Sequence, residues 1–260
     1  MMLSSPIDKS KVALRFAQAR HSYDGHALAQ QEICQNLYAF IEQYFIRNTL
    51  NHVLDIGCGS GQLSRLLLEN FDINYLYLND LYAEVSLNFT DLDRIQFCIG
   101  DIEEIVFDVS FDMVVSSSAL QWVNNLDHLF YKISQCLNAE GLLCFSTFGS
   151  NNLKEIKQLT GHGLNYLSLE TIESYLVQNG FDVLHLSESI EVMKFRHPKD
   201  VLKHLKATGV TATSVHFKWT KTKLNEFYRS YECLRLLEDT EESLYPLTYH
   251  PIYCVARKKR

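Results

Sequence analysis

A carboxylate and three glycines at alternate positions follow a short apolar run, in the segment VLDIGCGSGQ that spans residues 53–62. The carboxylate is Asp55, and the glycines are Gly57, Gly59 and Gly61. A strand that turns sharply into a helix presents free backbone N–H groups, and glycine lets a ligand approach the chain closely. The pattern therefore predicts a loop that binds a small-molecule ligand.

The spacing of these glycines distinguishes between the known classes of glycine loop. The dinucleotide fingerprint GxGxxG needs two residues between its second and third glycines, whereas only Ser60 stands between them here. A P-loop needs Gly-Lys-Ser/Thr, and Gly61 is followed by Gln62. A nicotinamide dinucleotide is thus disfavoured, and the P-loop interpretation fails.

Two further acids and a small polar segment end the apolar runs that come next. Asp80 closes INYLYLND, Asp101 follows IQFCIG, and FDMVVSSS ends in three serines. Because parallel strands bring their carboxyl ends to one edge of a sheet, these groups are expected beside the glycine loop. An acid at the end of the second strand can accept both hydroxyls of a ribose. A single acid of this kind is more often a helix cap, but three in register favour a ligand site.

The elements that must position these residues alternate along the chain. Apolar strand candidates are separated by helical patterns such as GQLSRLLLEN and LDHLFYKISQCLN. This alternation predicts an α/β fold with a mostly parallel sheet and helices on both faces. The opening segment reads as helices broken near residues 23–25, and the final segment YHPIYCVARKK reads as a closing edge strand.

One domain is expected over residues 1–260. Its predicted parts are N-terminal helices (1–48), a cofactor-binding core (49–149), a helical cap (about 150–165 and 190–235) and a closing strand (246–258). Within the cap, segment 221–237 is predicted to be one helix.

Asp55 with the alternating glycines, followed by acids at the next two strand ends, resembles the class I S-adenosylmethionine-dependent methyltransferases. The resemblance implies a Rossmann-like, seven-stranded sheet and S-adenosylmethionine as methyl donor. By resemblance, Asp55 lies near the methionine amino group, Asp80 holds the ribose, and Asp101 and Ile102 flank the adenine. The full set of implied cofactor-binding residues is Tyr23, Asp55, Gly57, Cys58, Gly59, Gly61, Asp80, Leu81, Asp101, Ile102, Ser116 and Ser117. Ser117 stands where related enzymes commonly carry Asn, and Asn79 has no assigned role.

Segments outside the glycine loop narrow the resemblance. Five segments are together similar to the malonyl-acyl-carrier-protein O-methyltransferase family of biotin synthesis. They are LRFAQARHSYDGHALAQQE, SSALQWVNNL, TFGSNNLKEIKQLTG, LKATGVTATS and YPLTYHPIYCVARK. The resemblance implies methylation of the free carboxylate of a malonyl thioester. Such a carboxylate is ionised at neutral pH and needs no general base, so alignment and exclusion of water are expected to carry catalysis.

The acceptor site is expected to use neutral hydrogen-bond donors, because an ion pair with the attacking oxygen would reduce its nucleophilicity. The catalytic candidates are Tyr23, Gln121 and Tyr166. The candidates for substrate contact are Arg15, His26 and Trp122, with Arg15 as a cation for the second oxygen. A half-buried core position is the alternative for Tyr23, a helix-face histidine for His26 and a pocket wall for Trp122.

The charge of the chain is unevenly distributed. The net charge is −7, yet residues 194–229 hold nine basic and two acidic residues. We interpret this segment as a docking face for an acidic acyl carrier protein that carries malonyl-phosphopantetheine. Lys203, Lys206 and Lys218 are the first candidates for contact. A solvated helical face is the alternative.

Composition sets the remaining expectations. No apolar run resembles a signal peptide or a membrane span, which predicts a cytoplasmic protein that binds no membrane. The seven cysteines form no CxxC pair, so free thiols and no metal site are expected. Little aromatic interleaving in the basic segment argues against a nucleic-acid partner. The alternatives left open are a methyltransferase for another small acid or acyl thioester, and a non-catalytic cofactor-binding protein.

Overall fold

The computed structural model describes residues 7–45, 49–89, 93–209, 219–237 and 243–260, apart from the side chains of residues 20–26 and 237. The described helices are α1 Lys9–His26, α2 Leu28–Tyr44, α3 Gln62–Asn70, α4 Leu126–Cys136, α5 Lys154–Thr160, α6 Leu169–Gln178, α7 Pro198–Ala207 and α8 Lys221–Tyr231. The strands are β1 Thr49–Ile56, β2 Asp72–Asp80, β3 Ile95–Ile99, β4 Phe111–Ser117, β5 Leu137–Phe148, β6 Phe181–Glu188, β7 Glu191–Phe195, β8 Leu236–Leu237, β9 Ser243–Tyr249 and β10 Pro251–Lys258. Within this part of the chain, no helix is both long and apolar enough to cross a membrane.

A seven-stranded sheet in the order β3-β2-β1-β4-β5-β10-β6 forms the centre of the molecule. β1 to β5 run parallel, and β10 pairs antiparallel with both β5 and β6. The ends of β1, β4 and β5 are buried on both faces, as apolar runs in a parallel sheet require. The predicted α/β, mostly parallel sheet is confirmed.

Both faces of the sheet carry a packed apolar layer. On one face, α2 and α3 cover the sheet with side chains such as Ile33, Leu37 and Leu67, which are fully buried. On the other face, α4 and α6 do the same with residues that include Phe130 and Leu176. This sandwich fixes the carboxyl ends of β1, β2 and β4 against one another, which is where the predicted acids and glycines lie.

Three predicted boundaries differ in the structure. The closing strand is not an edge strand, because β10 lies between β5 and β6 and is buried over most of its length. Segment 246–258 also divides at His250 into β9 and β10. The helix predicted over 221–237 ends at Tyr231, and the break between the first helices falls at Ala27.

The cap is not wholly helical. β7, β9 and β8 form a separate three-stranded antiparallel sheet, onto which α5 and α7 pack. α8 reaches this sheet through Tyr231, whose ring contacts that of Tyr245 in β9. β9 is hard to predict from the sequence because it contains Pro246, and proline is disfavoured inside a sheet. The structure accommodates it because β8 pairs with Ser243 and Leu244 and, in the described part of the chain, no strand pairs with Pro246 on that side.

Candidate active site

The glycine loop joins β1 to α3 in a conformation that requires glycine. Gly57, Gly59 and Gly61 have φ angles of +70°, +52° and +81°, which side chains rarely adopt. A Cβ on Gly57 would lie 2.3 Å from Cβ of Ala119, in the turn after β4. The loop therefore fits closely against that turn. Its Gly57 and Cys58 N–H groups donate to the Asn79 carbonyl at 2.9 and 3.0 Å, so the loop is also held against the end of β2.

Asp80 brings a carboxylate to this space at the end of β2. Its Oδ2 accepts a hydrogen bond from the Gly59 N–H at 2.9 Å, and its Oδ1 accepts one from the Leu81 N–H at 2.7 Å. Burial raises the pKa of Asp80 to about 6, although these backbone donors oppose the rise. The group is a buried acceptor that still has lone pairs for a ligand.

Asp55 lies at the end of β1 with its carboxylate turned toward α3. Its carboxylate is buried and accepts a hydrogen bond from the Ser64 hydroxyl of α3. Burial raises the pKa of Asp55 to about 7. The side chain does not line the cavity beside the glycine loop, so its contact there is with α3.

Asp101 and Glu103 follow β3 and bind the start of α1. Lys9 Nζ lies 2.6 Å from Asp101 Oδ1 and also contacts Glu103. Glu103 in turn accepts hydrogen bonds from the Asn124 and Asn125 backbone. These contacts fasten α1 across the edge of the sheet at which the glycine loop lies.

A cavity lies under α1 between the glycine loop and the ends of β2, β3 and β4. Asp80, Leu81, Asp101, Ile102 and Ser117 line it, together with Gly57 and Gly59. Its outer wall comes from α1 and was not predicted; it consists of Lys9, Val12, Ala13 and Phe16. We name this space the cofactor cavity.

The three serines at the end of β4 lie in different environments. The Ser116 hydroxyl donates to the Ile56 carbonyl at 2.8 Å and ties β4 to β1, so it does not reach the cavity. Ser117 lines the cofactor cavity. Ser118 has a φ of +55°, which is strained for a residue with a side chain, and its hydroxyl is buried without a hydrogen-bond partner in the described structure.

A narrow space of about 20 Å³, which we name the junction, adjoins the cofactor cavity. The two spaces share Phe16, Ser118 and Trp122 as walls. Four buried polar atoms without a partner among the described residues belong to side chains that line the junction: Gln30 Oε1, Ser118 Oγ, Gln121 Oε1 and Trp122 Nε1. Because an unpaired buried polar group costs about 1–3 kcal/mol, their clustering indicates a place where a ligand supplies the partners.

A larger space of about 810 Å³, which we name the vestibule, lies on the other side of the junction. The two share Asn152, Leu164 and Tyr166. The vestibule is walled by α1, α5, α7 and α8, and its cations are Arg15, Lys157, Lys199, Lys203 and Lys206. No Asp or Glu lines it among the described residues.

Comparison with known proteins identifies the family. A family profile described as "Methyltransferase domain" matches residues 54–145, which include the glycine loop and β2 to β4. Malonyl-[acyl-carrier protein] O-methyltransferase of Acinetobacter baylyi is 44% identical over 254 residues, which cover 97% of this chain and 98% of that protein. The chain belongs to the malonyl-[acyl-carrier protein] O-methyltransferase family. The protein of this name from Haemophilus influenzae is 38% identical, over 96% of this chain and 95% of that protein.

A solved structure supports the fold of this family member. Phosphoethanolamine N-methyltransferase 2 of Haemonchus contortus, in complex with S-adenosyl-L-methionine, superposes with a TM-score of 0.53. The match covers 87% of this chain and 53% of that one at 19% identity, so it bears on the fold alone. The resemblance stated from the sequence, to class I methyltransferases and to this family, is confirmed.

Several predicted site residues come together in the methyltransferase. Gln121, Trp122 and Tyr166 line the junction, while Arg15 lines the vestibule and has a buried, unpartnered Nη1 in the described structure. Tyr166 Oη accepts a hydrogen bond from Asn152 Nδ2 at 2.9 Å, which leaves its own O–H free to donate. Whether these side chains contact the acceptor stays a prediction.

Other predicted residues lie elsewhere or outside the described part. Cys58 and Gly61 shape the loop without lining the cofactor cavity. The side chains of Tyr23 and His26 and all of Lys218 are outside the described residues. Lys203 and Lys206 are exposed at the vestibule on α7, in the segment expected to dock the carrier protein.

Sequence reasoning missed residues whose role depends on contacts between distant segments. Asn79, which had no assigned role, donates to the Cys98 and Gly100 carbonyls at 2.8 and 3.0 Å and fixes the ends of β2 and β3. Gln30 lies in the first α2 turn, where the helical pattern alone indicates a core face. The available signal was a polar residue on that core face, because a buried polar group needs a hydrogen-bond partner.

Proposed function

We propose that the chain transfers the methyl group of S-adenosylmethionine to the free carboxylate of a malonyl thioester on acyl carrier protein. The product is the methyl ester that primes pimeloyl synthesis for biotin. The observation that carries the proposal is the cluster of unpartnered polar atoms at the junction, placed between the cofactor cavity and the basic vestibule. Membership of the family agrees with it.

The residues of the cofactor cavity fit S-adenosylmethionine. Asp80 supplies buried carboxylate oxygens for the two ribose hydroxyls, and each such hydrogen bond contributes about 1.5–3 kcal/mol. Ile102 offers an apolar surface beside Asp101, which suits a purine. Gly57 and Gly59 line the cavity without side chains, so a ligand can approach the backbone of the loop. When bound, S-adenosylmethionine supplies an electrophilic methyl group on a positively charged sulfur.

The acceptor needs positioning rather than activation. A carboxylic acid with an ordinary pKa near 4 is ionised at neutral pH, so no side chain has to remove a proton. Aligning two reactants can supply effective molarities of about 10⁵–10⁸ M, more than a general base contributes. The apolar walls of the junction, Phe16, Phe148 and Leu164, exclude water from the carboxylate.

Neutral groups at the junction are suited to hold that carboxylate. Trp122 Nε1, the Ser118 hydroxyl and the Tyr166 hydroxyl are donors without a committed acceptor in the described structure. Burial raises the pKa of Tyr166 to about 12, so it keeps its proton at any working pH. Neutral donors fix the orientation of the carboxylate without the strong charge pairing that would reduce its nucleophilicity.

Two amide oxygens face the same space from other directions. The Gln121 amide donates from Nε2 to the Ser118 carbonyl at 2.6 Å, which leaves its oxygen unpartnered. The Gln30 side chain hydrogen-bonds the Tyr249 hydroxyl, which lies 2.8 Å from His204 Nε2. Acceptors held in this way suit a group that carries partial positive charge, and they repel a carboxylate that enters in the wrong orientation.

The carrier protein accounts for the basic surface. Lys203 and Lys206 are exposed on α7, beside a vestibule that leads to the junction. Acyl carrier protein is acidic, and complementary charge accelerates encounter and fixes orientation. Arg15 lies deeper in the vestibule, where its guanidinium can meet the second carboxylate oxygen or the thioester carbonyl.

Two experiments test the proposed function. With tritiated S-adenosylmethionine, we expect methyl transfer to malonyl-acyl carrier protein to exceed transfer to free malonate by at least 100-fold in kcat/KM. Expression of the chain is also expected to restore growth of a biotin-requiring strain that lacks this methylation step. Equal rates with free malonate would instead indicate a methyltransferase for small acids. Cofactor binding without turnover of any acyl thioester would indicate a non-catalytic protein.

A further inference from the structure

We propose that the outer end of α7 forms a binding site for a phosphodiester, with Lys199 as its main cation and Lys203 beside it. The ligand is the phosphate that joins the pantetheine arm to the carrier protein. The inference rests on the proposed function and deepens it, because it assigns the interior of the vestibule to the arm of the substrate, while the carrier itself meets the exposed surface of α7.

The vestibule has the charge that a buried phosphate needs. It is lined by five cations from three helices and by no carboxylate among the described residues. In a chain whose net charge is −7, a space of about 810 Å³ without an acidic wall is selective for anions. A surface that only contacts an acidic protein needs no such cavity.

The lysines of α7 lie in a row that leads toward the junction. Lys199, Lys203 and Lys206 recur at intervals of four and three residues, so they share one face of the helix. Thr208, just past the end of α7, lines the junction. With a rise of about 1.5 Å per residue, the backbone of Lys199 lies roughly 13 Å from that of Thr208 along the helix.

The distance from the junction to Lys199 suits the length of the pantetheine arm. About sixteen bonds separate the malonyl carboxyl carbon from phosphorus, and an extended chain advances roughly 1.1–1.2 Å per bond. The arm therefore spans up to about 18 Å, which places the phosphate beyond Lys206 and near Lys199 once the carboxylate occupies the junction. Between them, Leu202, Leu205 and Tyr228 offer apolar walls for its uncharged part.

Lys199 is better placed for an anion than Lys203. Lys203 Nζ already lies 2.9 Å from Asp200 Oδ1, which neutralises part of its charge. Within the described residues, no ion pair engages Lys199, and its side chain is exposed at the vestibule. Tyr228 contacts His197 at a ring separation of 5.6 Å and closes the same end of the space.

Three acceptors of increasing size test the site: malonyl-pantetheine, malonyl-phosphopantetheine and malonyl-acyl carrier protein. For the unmodified chain, we expect the KM for malonyl-phosphopantetheine to be about tenfold below that for malonyl-pantetheine. Lys199→Ala is expected to raise the KM for malonyl-phosphopantetheine by five- to tenfold and to leave that for malonyl-pantetheine unchanged. Lys154→Ala, an exposed lysine of α5 outside the vestibule, serves as the matched control and is expected to change neither.

Three outcomes would overturn the phosphate site. In the first, the unmodified chain has equal KM values for malonyl-pantetheine and malonyl-phosphopantetheine. In the second, Lys199→Ala raises the KM equally for these two acceptors. The third is an effect of Lys199→Ala confined to the carrier-bound substrate, which would place Lys199 against the protein instead. Failure of the unmodified chain to methylate any of the three acceptors would overturn the proposed function itself, so the two failures are distinguishable.

Discussion

Asp80 keeps a carboxylate in a buried position because the Gly59 and Leu81 N–H groups donate hydrogen bonds to it. These donors hold its oxygens at the edge of the cofactor cavity, where the ribose hydroxyls are proposed to bind. The sequence located this residue correctly at a strand end. It did not distinguish Asp80 from Asp55, whose carboxylate turns into α3 and binds Ser64. Which side of a strand end an acid faces depends on the helix that packs there.

The pKa of Asp80 predicts a pH dependence of cofactor binding. Burial raises this pKa to about 6 from an ordinary 3.8, and a ligand that donates to the carboxylate favours its ionised form. The affinity for S-adenosylmethionine, measured by calorimetry, is therefore expected to rise between pH 5 and 7. Asp80→Asn is expected to weaken binding at least tenfold and to reduce this rise; an unchanged pH profile in the variant would contradict the assignment.

Without cofactor, the free energy of unfolding is expected to change with pH in the opposite direction to the cofactor affinity. The folded state holds a proton on Asp80 up to about pH 6, whereas the unfolded chain loses it near pH 4. The contribution of Asp80 to the free energy of unfolding therefore falls as pH rises through this window. Asp55, with a pKa raised to about 7, adds a loss of the same sign.

Tyr166→Phe tests the junction as the acceptor site. The change removes a hydroxyl that is proposed to donate to the substrate carboxylate and leaves Asn152 Nδ2 without its acceptor. A lost hydrogen bond to a carboxylate, worth about 1.5–3 kcal/mol, corresponds to a decrease of roughly 10–150-fold in kcat/KM for malonyl-acyl carrier protein. The dissociation constant of S-adenosylmethionine is expected to stay within twofold. A loss of cofactor affinity equal to the loss of kcat/KM would place Tyr166 in the cofactor site instead.

At the scale of elements, the close packing of the glycine loop against the turn after β4 assembles the site. Gly57→Ala would put a Cβ 2.3 Å from that of Ala119 and would force a side chain into a φ of +70°. We expect at least a tenfold loss of cofactor affinity, because the loop has to move out of the cavity wall.

Gly180→Ala is the matched control for the loop. Gly180 has a φ of +83°, yet nothing lies within 4 Å of the Cβ it would gain, and it does not line the cofactor cavity. The variant is expected to lose about 1 kcal/mol of stability from backbone strain and to keep its cofactor affinity. Equal affinity losses in the two variants, measured by calorimetry, would attribute the effect to strain alone.

The elements were predictable where the pattern is local and unpredictable where pairing is distant. β1, β2 and β4 are read directly from apolar runs, and their helices from spacing. The segment YHPIYCVARK predicts an edge strand, whereas β10 lies between β5 and β6. The local sequence holds no information about the pairing with β6. Likewise, the wall that α1 adds to the cofactor cavity depends on Lys9 meeting Asp101 and Glu103, which lie more than 90 residues away.

Across the whole molecule, three spaces follow one another from the sheet edge to the cap. The cofactor cavity meets the junction at Phe16, Ser118 and Trp122, and the junction meets the vestibule at Leu164 and Tyr166. The sequence predicted the first space and the basic charge of the last. It did not predict the junction, because only the tertiary fold brings its walls together. They come from α1, α2, β5, β9 and the segments that follow β4, β5, α5 and α7.

The basic surface predicts how the enzyme meets its partner. The double change Lys203→Glu and Lys206→Glu is expected to raise the KM for malonyl-acyl carrier protein at least tenfold and to flatten its dependence on salt, because steering by opposite charge is lost. Lys154→Glu, which changes an exposed charge outside the vestibule, is expected to have less than a twofold effect. Equal KM values for the double variant and the unmodified chain would contradict the docking assignment.

The most direct measurement is the position of the transferred methyl group. Malonyl-acyl carrier protein is incubated with the chain and S-adenosylmethionine, and the carrier-bound acyl group is analysed by tandem mass spectrometry. The account predicts a malonyl group one methyl heavier, with the methyl on its free carboxyl oxygen and released as methanol by base. A methyl group on carbon or on the carrier protein, or an unmodified malonyl group, would contradict it.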